Sequence, residues 1–407
     1  MQLFSFFVKN VLFYYSRTLK GDKQMNVGID QISFYVPQMY LDMTDLAQAR
    51  NVDPNKYLIG IGQEKMAINP QSQDIITLGA NAAEKILTAQ DKEQIDLVIV
   101  GTESSIDESK ASAVILHRLL GIQPYARAIE VKEACYAGTA ALQMAVNHVR
   151  LHPESKALVI ATDIARYGLN SGGEPTQGAG AVAMLITKEP RILVIEEKTL
   201  ALTKDVYDFW RPTNRKYPLV DGPLSNSTYI NAFSDVFTAY NQKYQQSLTD
   251  YKALLFHIPY TKMGRKALNH LLENVDEAIA KEFIDNYELS IRYSRQIGNL
   301  YTGSLYLGLI SYLDHVATLK PEDTIGLFSY GSGMVGEFFQ AHVVEGYQKH
   351  LHTTQNQETL NKRHRLTFAE YETCLNEHLD PSIDQVFTDE TRFSIEKVEN
   401  HIRYYKN

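Results

Sequence analysis

Four short runs dominated by apolar residues place the strongest constraint on the fold of this chain. They are residues 95–101, 156–163, 253–259 and 323–329. Runs of this length and composition are typical of strands buried on both faces, and segments with helical periodicity lie between them. Strands that alternate with helices predict a mostly parallel sheet with right-handed crossovers. The 407 residues are enough for one large α/β unit.

The same order of features occurs twice along the chain. Glu103 and His257 each stand near the end of a buried strand, and Cys135 and Asn299 each stand before an apolar helix. This repeated order predicts an internal duplication. A Gly-x-Gly turn comes late in each half, at Gly178/Gly180 and Gly331/Gly333.

The duplication suggests where the chain divides. We place an N-terminal half at residues 25–195 and a C-terminal half at residues 196–407, fused because no low-complexity linker separates them. Residues 1–24 are expected to lie outside the fold, either upstream of the natural start or as a peripheral extension. Their apolar stretch, residues 3–15, is interrupted by Lys9 and is shorter than the roughly 20 residues that span a bilayer. An amphipathic surface anchor is the alternative.

The composition argues against several functional classes. The formal net charge of -8 speaks against broad nucleic-acid binding. Cys135 and Cys374 are the only cysteines, which is too few for a disulfide framework and predicts a cytoplasmic location. The sequence has no CxxC pair and no HExxH motif, and no metal site is predicted.

Cys135 lies at the break between a strand-like run, residues 128–131, and a helical pattern from Thr139 onward. At the N-terminus of a helix, unpaired N–H groups and the macrodipole stabilise an anion, so we expect a lowered pKa and a nucleophilic thiol. The small residues Ala137 and Gly138 would let a substrate carbonyl approach backbone N–H groups. A buried structural cysteine is the alternative.

Several separated segments resemble the thiolase superfamily and, within it, the hydroxymethylglutaryl-CoA synthases of the bacterial type. The similarity runs from about Met25 to near the C-terminus. The sequence departs from the common pattern at residues 131–134 and at Gly172, where relatives often carry an Asn that contacts substrate. The second departure concerns one binding contact and not the chemistry. The matching segments are residues 56–66, 101–104, 135–138, 207–212, 256–262 and 331–333.

The resemblance implies an α/β thiolase-like fold, in which two pseudo-duplicated βαβ halves form a layered α/β/α/β/α core. It also implies an acyltransferase of the mevalonate pathway of isoprenoid biosynthesis. Such an enzyme condenses acetyl-CoA with acetoacetyl-CoA and water to give 3-hydroxy-3-methylglutaryl-CoA and CoA. By the same resemblance the CoA thioesters are substrates, no cofactor is permanently bound, and the protein is a homodimer that binds no nucleic acid and does not span a membrane.

The resemblance gives chemical roles to three residues. Cys135 takes the acetyl group from acetyl-CoA, Glu103 removes a proton from the methyl group of the acetyl-enzyme, and His257 positions acetoacetyl-CoA and helps to protonate the alkoxide. Taken singly, Glu103 is typical of a solvated carboxylate and His257 of a structural histidine. Their occurrence together with Cys135 favours catalysis.

The resemblance also implies binding and supporting residues. Lys262 and Lys266 are one helical turn apart, which suits the phosphates of CoA, although a solvated basic face is the alternative. By the resemblance, three residues shape the pocket and its hydrogen bonds without contacting substrate: Tyr136, Asp163 and Asp208. The residues implied to contact substrate or CoA are Asp53, Thr176, Ser225, Lys262, Lys266, Asn299 and Ser332.

Three other functions compete with this hypothesis. A decarboxylating ketoacyl-ACP synthase uses Cys, His and Asn, but it needs no carboxylate base such as Glu103. A biosynthetic thiolase normally needs a second catalytic cysteine, whereas Cys374 lies in a polar segment that predicts a surface helix. A non-catalytic acyl-CoA-binding scaffold would retain the fold without the chemistry.

Overall fold

The computed structural model describes residues 25–377 and 379–406, and the predicted extension of residues 1–24 lies outside them. The strands are β1 Val27–Tyr35, β2 Met39–Asp42, β3 Lys65–Ile68, β4 Ile95–Gly101, β5 Arg127–Val131, β6 Lys156–Ala165, β7 Gly178–Lys188, β8 Leu193–Thr203, β9 Phe209–Trp210, β10 Leu219–Val220, β11 Ala253–Phe256, β12 Thr324–Gly331, β13 Val335–Val343, β14 His364–Arg365, β15 Gln385–Val386, β16 Ile395–Glu399 and β17 Ile402–Tyr405.

The α-helices are α1 Met43–Ala49, α2 Ile75–Ala83, α3 Ala89–Gln94, α4 Ser112–Leu119, α5 Ala137–Leu151, α6 Gly222–Tyr244, α7 Thr261–Leu272, α8 Glu277–Ser290, α9 Arg292–Ile297, α10 Ser304–His315, α11 Thr353–Asn361 and α12 Phe368–Asn376. Each of the four apolar runs forms a strand, as predicted. Strand β11 ends at Phe256, so His257 lies just beyond it.

The main sheet has the strand order β11-β12-β13-β8-β1-β7-β6-β4-β5. Strand β4 pairs in parallel with β5 and β6, and β11 pairs in parallel with β12, but the other neighbouring pairs are antiparallel. The prediction of a mostly parallel sheet was therefore wrong. Parallel pairs need a long crossover, and the short turn between β12 and β13 can join only antiparallel strands.

The predicted internal duplication is present in the topology. The series β4-β6-β7-β1 and β11-β12-β13-β8 have the same sequence of one parallel and two antiparallel pairings. The two series join through the antiparallel pairing of β1 with β8. By this correspondence β4 matches β11, so Glu103 and His257 follow equivalent strands.

The core is arranged in layers. Helices α5 and α10 pack with the inner faces of both halves of the sheet, α2 and α4 cover the outer face of one half, and α6, α7 and α8 cover that of the other. Along β4, Ile99 contributes to the central layer while Val98 and Val100 pack beneath α2 and α4. This α/β/α/β/α arrangement confirms the predicted fold, and it requires strands that are apolar on both faces.

The C-terminal segment contributes residues to the core. Ile395 and Val398 of β16 join the core beneath α2, and Arg403 forms an ion pair of 2.7 Å with Asp74. Asp74 is also the N-cap of α2, where its side chain accepts hydrogen bonds from the N–H groups of Ile76 and Thr77. Within residues 25–377 and 379–406, no helix has the length and apolar character needed to cross a membrane.

Candidate active site

Cys135 lies in a tight turn between β5 and α5. Ala134, the residue before it, has a φ of 40°, in the left-handed region that non-glycine residues rarely adopt. The turn is packed closely against β12, because a Cβ atom at Gly331 would lie 2.6 Å from the carbonyl oxygen of Glu133. Only a glycine at position 331 leaves room for the backbone that presents the thiol.

The Cys135 Sγ atom donates a hydrogen bond of 3.0 Å to Oε1 of Glu103. Burial raises the pKa of the Cys135 thiol well above its usual value, and the Glu103 carboxylate adds to the rise. The expected lowering of this pKa by the helix N-terminus was therefore wrong. Helix α5 begins only at Ala137, and the nearest anion is a carboxylate that favours the protonated thiol.

Glu103 follows β4 and is 8% exposed. Burial raises the pKa of its carboxyl group well above the usual range, and the charge of Asp163 raises it further. The carboxyl group of Asp163 ionises more easily than that of Glu103, because both of its oxygens accept hydrogen bonds that stabilise the carboxylate. The donors are the hydroxyl groups of Thr102, Ser104 and Thr302 and the backbone N–H groups of Glu103 and Thr302.

His257 follows β11 and is 2% exposed. Its backbone is fixed on both sides, since its N–H donates to the carbonyl of Phe328 at 2.8 Å and its carbonyl accepts from the Tyr229 hydroxyl at 2.6 Å. Burial lowers the pKa of His257 to about 3. The imidazole is therefore neutral at physiological pH, with one nitrogen that donates and one that accepts.

Cys135 and His257 both line a cavity of about 520 Å³, and Glu103 contacts it through its hydrogen bond with the Cys135 thiol. Asn299 is oriented there, because its Oδ1 atom accepts hydrogen bonds from Tyr301 N–H (2.8 Å) and the Ser304 hydroxyl (2.9 Å). Its Nδ2 group is consequently on the side of Tyr167. The lining includes Gly172 and six of the predicted site residues: Cys135, Thr176, Ser225, His257, Asn299 and Ser332.

Three predicted binding residues lie outside this lining. Lys266 is at its edge, since its Nζ atom donates to the Tyr260 hydroxyl (2.8 Å) and to Asn226 Oδ1 (3.2 Å), and both partners line the cavity. Lys262 lies one turn earlier on α7. Asp53 lies in an exposed turn, where its side chain accepts from the N–H of Asn55.

The three predicted supporting residues each fix a neighbour of the cavity. Tyr136 donates to Glu337 at 2.5 Å. Asp208 accepts from the Tyr330 hydroxyl at 2.8 Å and from the N–H of Gly333 at 2.9 Å. Asp163 orders the segment that carries Glu103, as described above. The roles of the site residues remain predictions at this point.

The structure adds residues that the sequence did not suggest. Tyr167, Phe209 and Tyr301 form an aromatic wall with ring centroids 6.1 to 6.2 Å apart. Arg211 donates to the backbone carbonyl of Glu103. The rings come from three distant segments, so no local pattern could group them, although residues 207–212 were among the matching segments.

The counterpart of Cys135 in the second half is Thr302 and not Asn299. Ala134 and Tyr301 have φ angles of 40° and 43°, and each stands three residues before the first residue of α5 or α10. The residue that follows Tyr301 is Thr302, whose hydroxyl is buried and donates to Asp163. The duplicated turn therefore carries a nucleophile in one half and a structural hydroxyl in the other.

The fold and the site together define a thiolase-like acyltransferase. Two family profiles match the chain: "Hydroxymethylglutaryl-coenzyme A synthase N terminal" over residues 23–190 and the corresponding "C terminal" profile over residues 193–283 and 269–407. The chain is 60% identical to the hydroxymethylglutaryl-CoA synthase of Enterococcus faecalis over 383 residues, which cover 94% of this chain and 100% of that protein.

Two further similarities agree. A crystal structure of an HMG-CoA synthase complexed with CoA superimposes with a TM-score of 0.91 at 44% identity, covering 94% of this chain and 100% of that one. The chain is also 30% identical to a polyketide biosynthesis 3-hydroxy-3-methylglutaryl-ACP synthase of Bacillus subtilis, over 94% of this chain and 99% of that protein.

The chain therefore belongs to the hydroxymethylglutaryl-CoA synthase family. The predicted family, the thiolase-like fold and the acyltransferase activity that condenses acetyl-CoA with acetoacetyl-CoA in the mevalonate pathway are confirmed.

Proposed function

We propose that Cys135, Glu103 and His257 carry out the condensation of acetyl-CoA with acetoacetyl-CoA through an acetyl-Cys135 thioester. The observation that carries this proposal is the 3.0 Å hydrogen bond from the Cys135 thiol to Glu103, at a cavity that His257 and Asn299 also line. The nucleophile Cys135, the base Glu103 and the polar side chain of His257 are therefore arranged around the cavity that one small substrate would occupy.

Acetyl transfer begins along the existing hydrogen bond. The thiol proton moves to Glu103, whose carboxylate is made more basic by burial, and the thiolate attacks the carbonyl carbon of acetyl-CoA. The C–S bond to CoA breaks, and Glu103 returns the proton to the departing CoA thiolate. The enzyme is left with acetyl-Cys135 and an ionised Glu103, which is the state that the next step needs.

Condensation uses the same carboxylate a second time. Glu103 removes a proton from the acetyl methyl group, and the resulting carbanion attacks the ketone carbon of acetoacetyl-CoA. The neutral imidazole of His257 donates a hydrogen bond to the ketone oxygen, on which negative charge develops, and helps this alkoxide to take up the proton that Glu103 removed from the methyl group. Water hydrolyses the thioester to Cys135, which releases 3-hydroxy-3-methylglutaryl-CoA and restores the thiol.

The CoA moieties are proposed to bind at the edge of the cavity. Lys266, with Lys262 one turn away, is placed to meet the CoA phosphates. We propose that Asn299 and Ser332 orient the thioester carbonyl and that Thr176 and Ser225 contact the acyl groups. Asp53 is proposed to contact CoA at the entrance of the cavity. A similar HMG-CoA synthase was crystallised with CoA, which supports a CoA site in this chain. We propose no permanently bound cofactor.

Two wider proposals concern the whole molecule. We expect a homodimer, because β5 is an edge strand of the main sheet and Tyr125 and Met144 near it are exposed, at 91% and 45%. Light scattering should give twice the chain mass. We also propose two halves, residues 25–195 and 196–407, with the boundary close to the start of β8 at Leu193. A cytoplasmic location is proposed because Cys135 and Cys374 are both free thiols.

The deciding experiment measures CoA release with acetyl-CoA plus acetoacetyl-CoA, and compares malonyl-ACP and acetyl-ACP as other substrates. The ACP arms are needed because one relative is an ACP synthase. We expect turnover with the two CoA thioesters and an acetyl adduct on Cys135 by mass spectrometry. Turnover only with acetyl-ACP would overturn the CoA assignment, and turnover with malonyl-ACP would support a decarboxylating synthase.

A further inference from the structure

A second cavity, of about 380 Å³, lies beside helix α9 and shares no lining residue with the catalytic cavity. Its walls come from β2, β3, α9, α10 and α11 and from the residues just after α11. The lining contains the cationic side chains Lys65, Arg292 and Arg363, together with His315. Within the described part of the chain, no aspartate or glutamate lines it.

Arg363 is the most buried of these cations, at 6% exposure. Its Nε atom donates to the carbonyl of Leu360 at 3.2 Å and its Nη1 atom to the carbonyl of Gln296 at 2.8 Å. Its Nη2 atom is buried and has no hydrogen-bond partner among residues 25–377 and 379–406. A buried guanidinium that lacks both a counter-ion and one hydrogen bond is costly, so its retention requires an explanation.

The neighbouring cations are equally without carboxylate partners. None of the ion pairs of the described chain includes Lys65, Arg292 or Arg363. Lys65 and Arg363 both lie over the ring of Tyr40, at 4.9 and 5.1 Å from its centroid. Cation–π contacts of this kind stabilise the two cations, but a neutral ring does not cancel the concentration of positive charge.

We propose that this second cavity binds a small anion bearing a phosphate group, which accepts a hydrogen bond from Nη2 of Arg363 and pairs with Lys65 and Arg292. The planar fork of arginine matches phosphate oxygens, and a phosphate monoester carries about two negative charges at neutral pH. The volume lies in the range of about 300 to 1,000 Å³ that is typical of small-molecule sites. A phosphorylated metabolite therefore fits better than inorganic phosphate alone.

The test uses inorganic pyrophosphate as the probe, titrated calorimetrically into the full chain at an ionic strength held constant with NaCl. We expect saturable binding that Lys65→Met and Arg292→Ala each weaken at least tenfold. Arg363→Met should abolish it, and the first two variants keep the test valid if that protein does not fold. Arg365→Met is the matched control, because Arg365 pairs with Asp45 and does not line the cavity.

A second arm separates this site from the proposed CoA contacts. Lys266→Ala should leave unchanged the component of pyrophosphate binding that Lys65→Met weakens, since Lys266 lies at the other cavity. Loss of binding in Lys266→Ala but not in Lys65→Met would overturn the proposal, as would heats no greater than those of NaCl alone. Tighter binding of citrate than of pyrophosphate would overturn the assignment of phosphate.

Discussion

Replacement of Glu103 by glutamine tests the mechanism most directly. The substitution keeps the shape of the side chain and an oxygen that can accept from the Cys135 thiol, but it removes the proton acceptor. The nearby Asp163 is poorly suited to substitute as the base, since its carboxylate is already occupied by donors from Thr102, Ser104 and Thr302. The rate of condensation should therefore fall to the full extent expected for loss of a general base.

That loss is about 10³- to 10⁴-fold, at the upper end of the usual range for a general base, because a methyl carbon acid is a poor proton donor. It corresponds to about 4 to 5.5 kcal/mol of transition-state stabilisation. The structure also predicts slower acetylation of Cys135 by Glu103→Gln, because the thiol donates to this same carboxylate. A thiol loses its proton much more easily than a methyl group, so we expect that step to fall only about 10- to 10²-fold.

Three measurements separate the steps: acetyl-Cys135 formation by rapid-quench mass spectrometry, exchange of the acetyl methyl protons with deuterated solvent, and CoA release. Glu133→Gln is the matched control, because Glu133 is a partly buried carboxylate close in sequence to Cys135 and its pKa is also raised by burial. It should stay within about threefold of wild type. Condensation by Glu103→Gln within tenfold of the wild-type rate would refute the assignment of Glu103 as the base.

The pH dependence supplies an independent check. Burial raises the pKa of Glu103, and only the ionised form can take a proton from the methyl group. The condensation rate should therefore fall as the pH decreases through this raised value, well above the roughly 4.3 of an ordinary glutamate. This acidic limb should vanish in Glu103→Gln. A limb near the ordinary value would show that the buried carboxylate is not the titrating group.

The remaining predictions concern the nucleophile, the acceptor side and the turn. Cys135→Ala should abolish both the acetyl adduct and turnover. Cys374 lies on helix α12, and Cys374→Ala should release CoA at nearly the wild-type rate. An active Cys135→Ala protein together with an inactive Cys374→Ala protein would support a thiolase mechanism instead. In His257→Ala, Cys135 should still be acetylated, because its thiol donates to Glu103, but condensation should be about 10²- to 10⁴-fold slower. Loss of acetylation in a folded His257→Ala protein would show that His257 is the base that activates the thiol. Gly331→Ala should lower both the melting temperature and activity, because the added Cβ would lie 2.6 Å from a backbone oxygen; unchanged thermal unfolding would show that the turn adapts freely.

Much of the fold could be predicted from the sequence. The run at residues 95–101 is strand β4 without a shift of either end, and Asp74, a residue type that favours the N-cap, caps α2. Continuous apolar runs and capping residues report local conformation directly, because they reflect backbone geometry and burial within one segment. Cys135 was a candidate nucleophile from its position at the break between a strand and a helix, whereas the roles of Glu103 and His257 came from the resemblance to a family pattern.

Tertiary structure decided what depends on segments far apart in the chain. Strand direction was misjudged because it follows the connections, and the short turn after β12 permits only an antiparallel neighbour. The pKa of Cys135 was misjudged because burial and Glu103, 32 residues away, outweigh the local helix terminus. The orphaned Nη2 atom of Arg363 has no local signature at all. Desolvation and charge depend on everything that packs around a group, and packing is a property of the whole fold and not of any one segment.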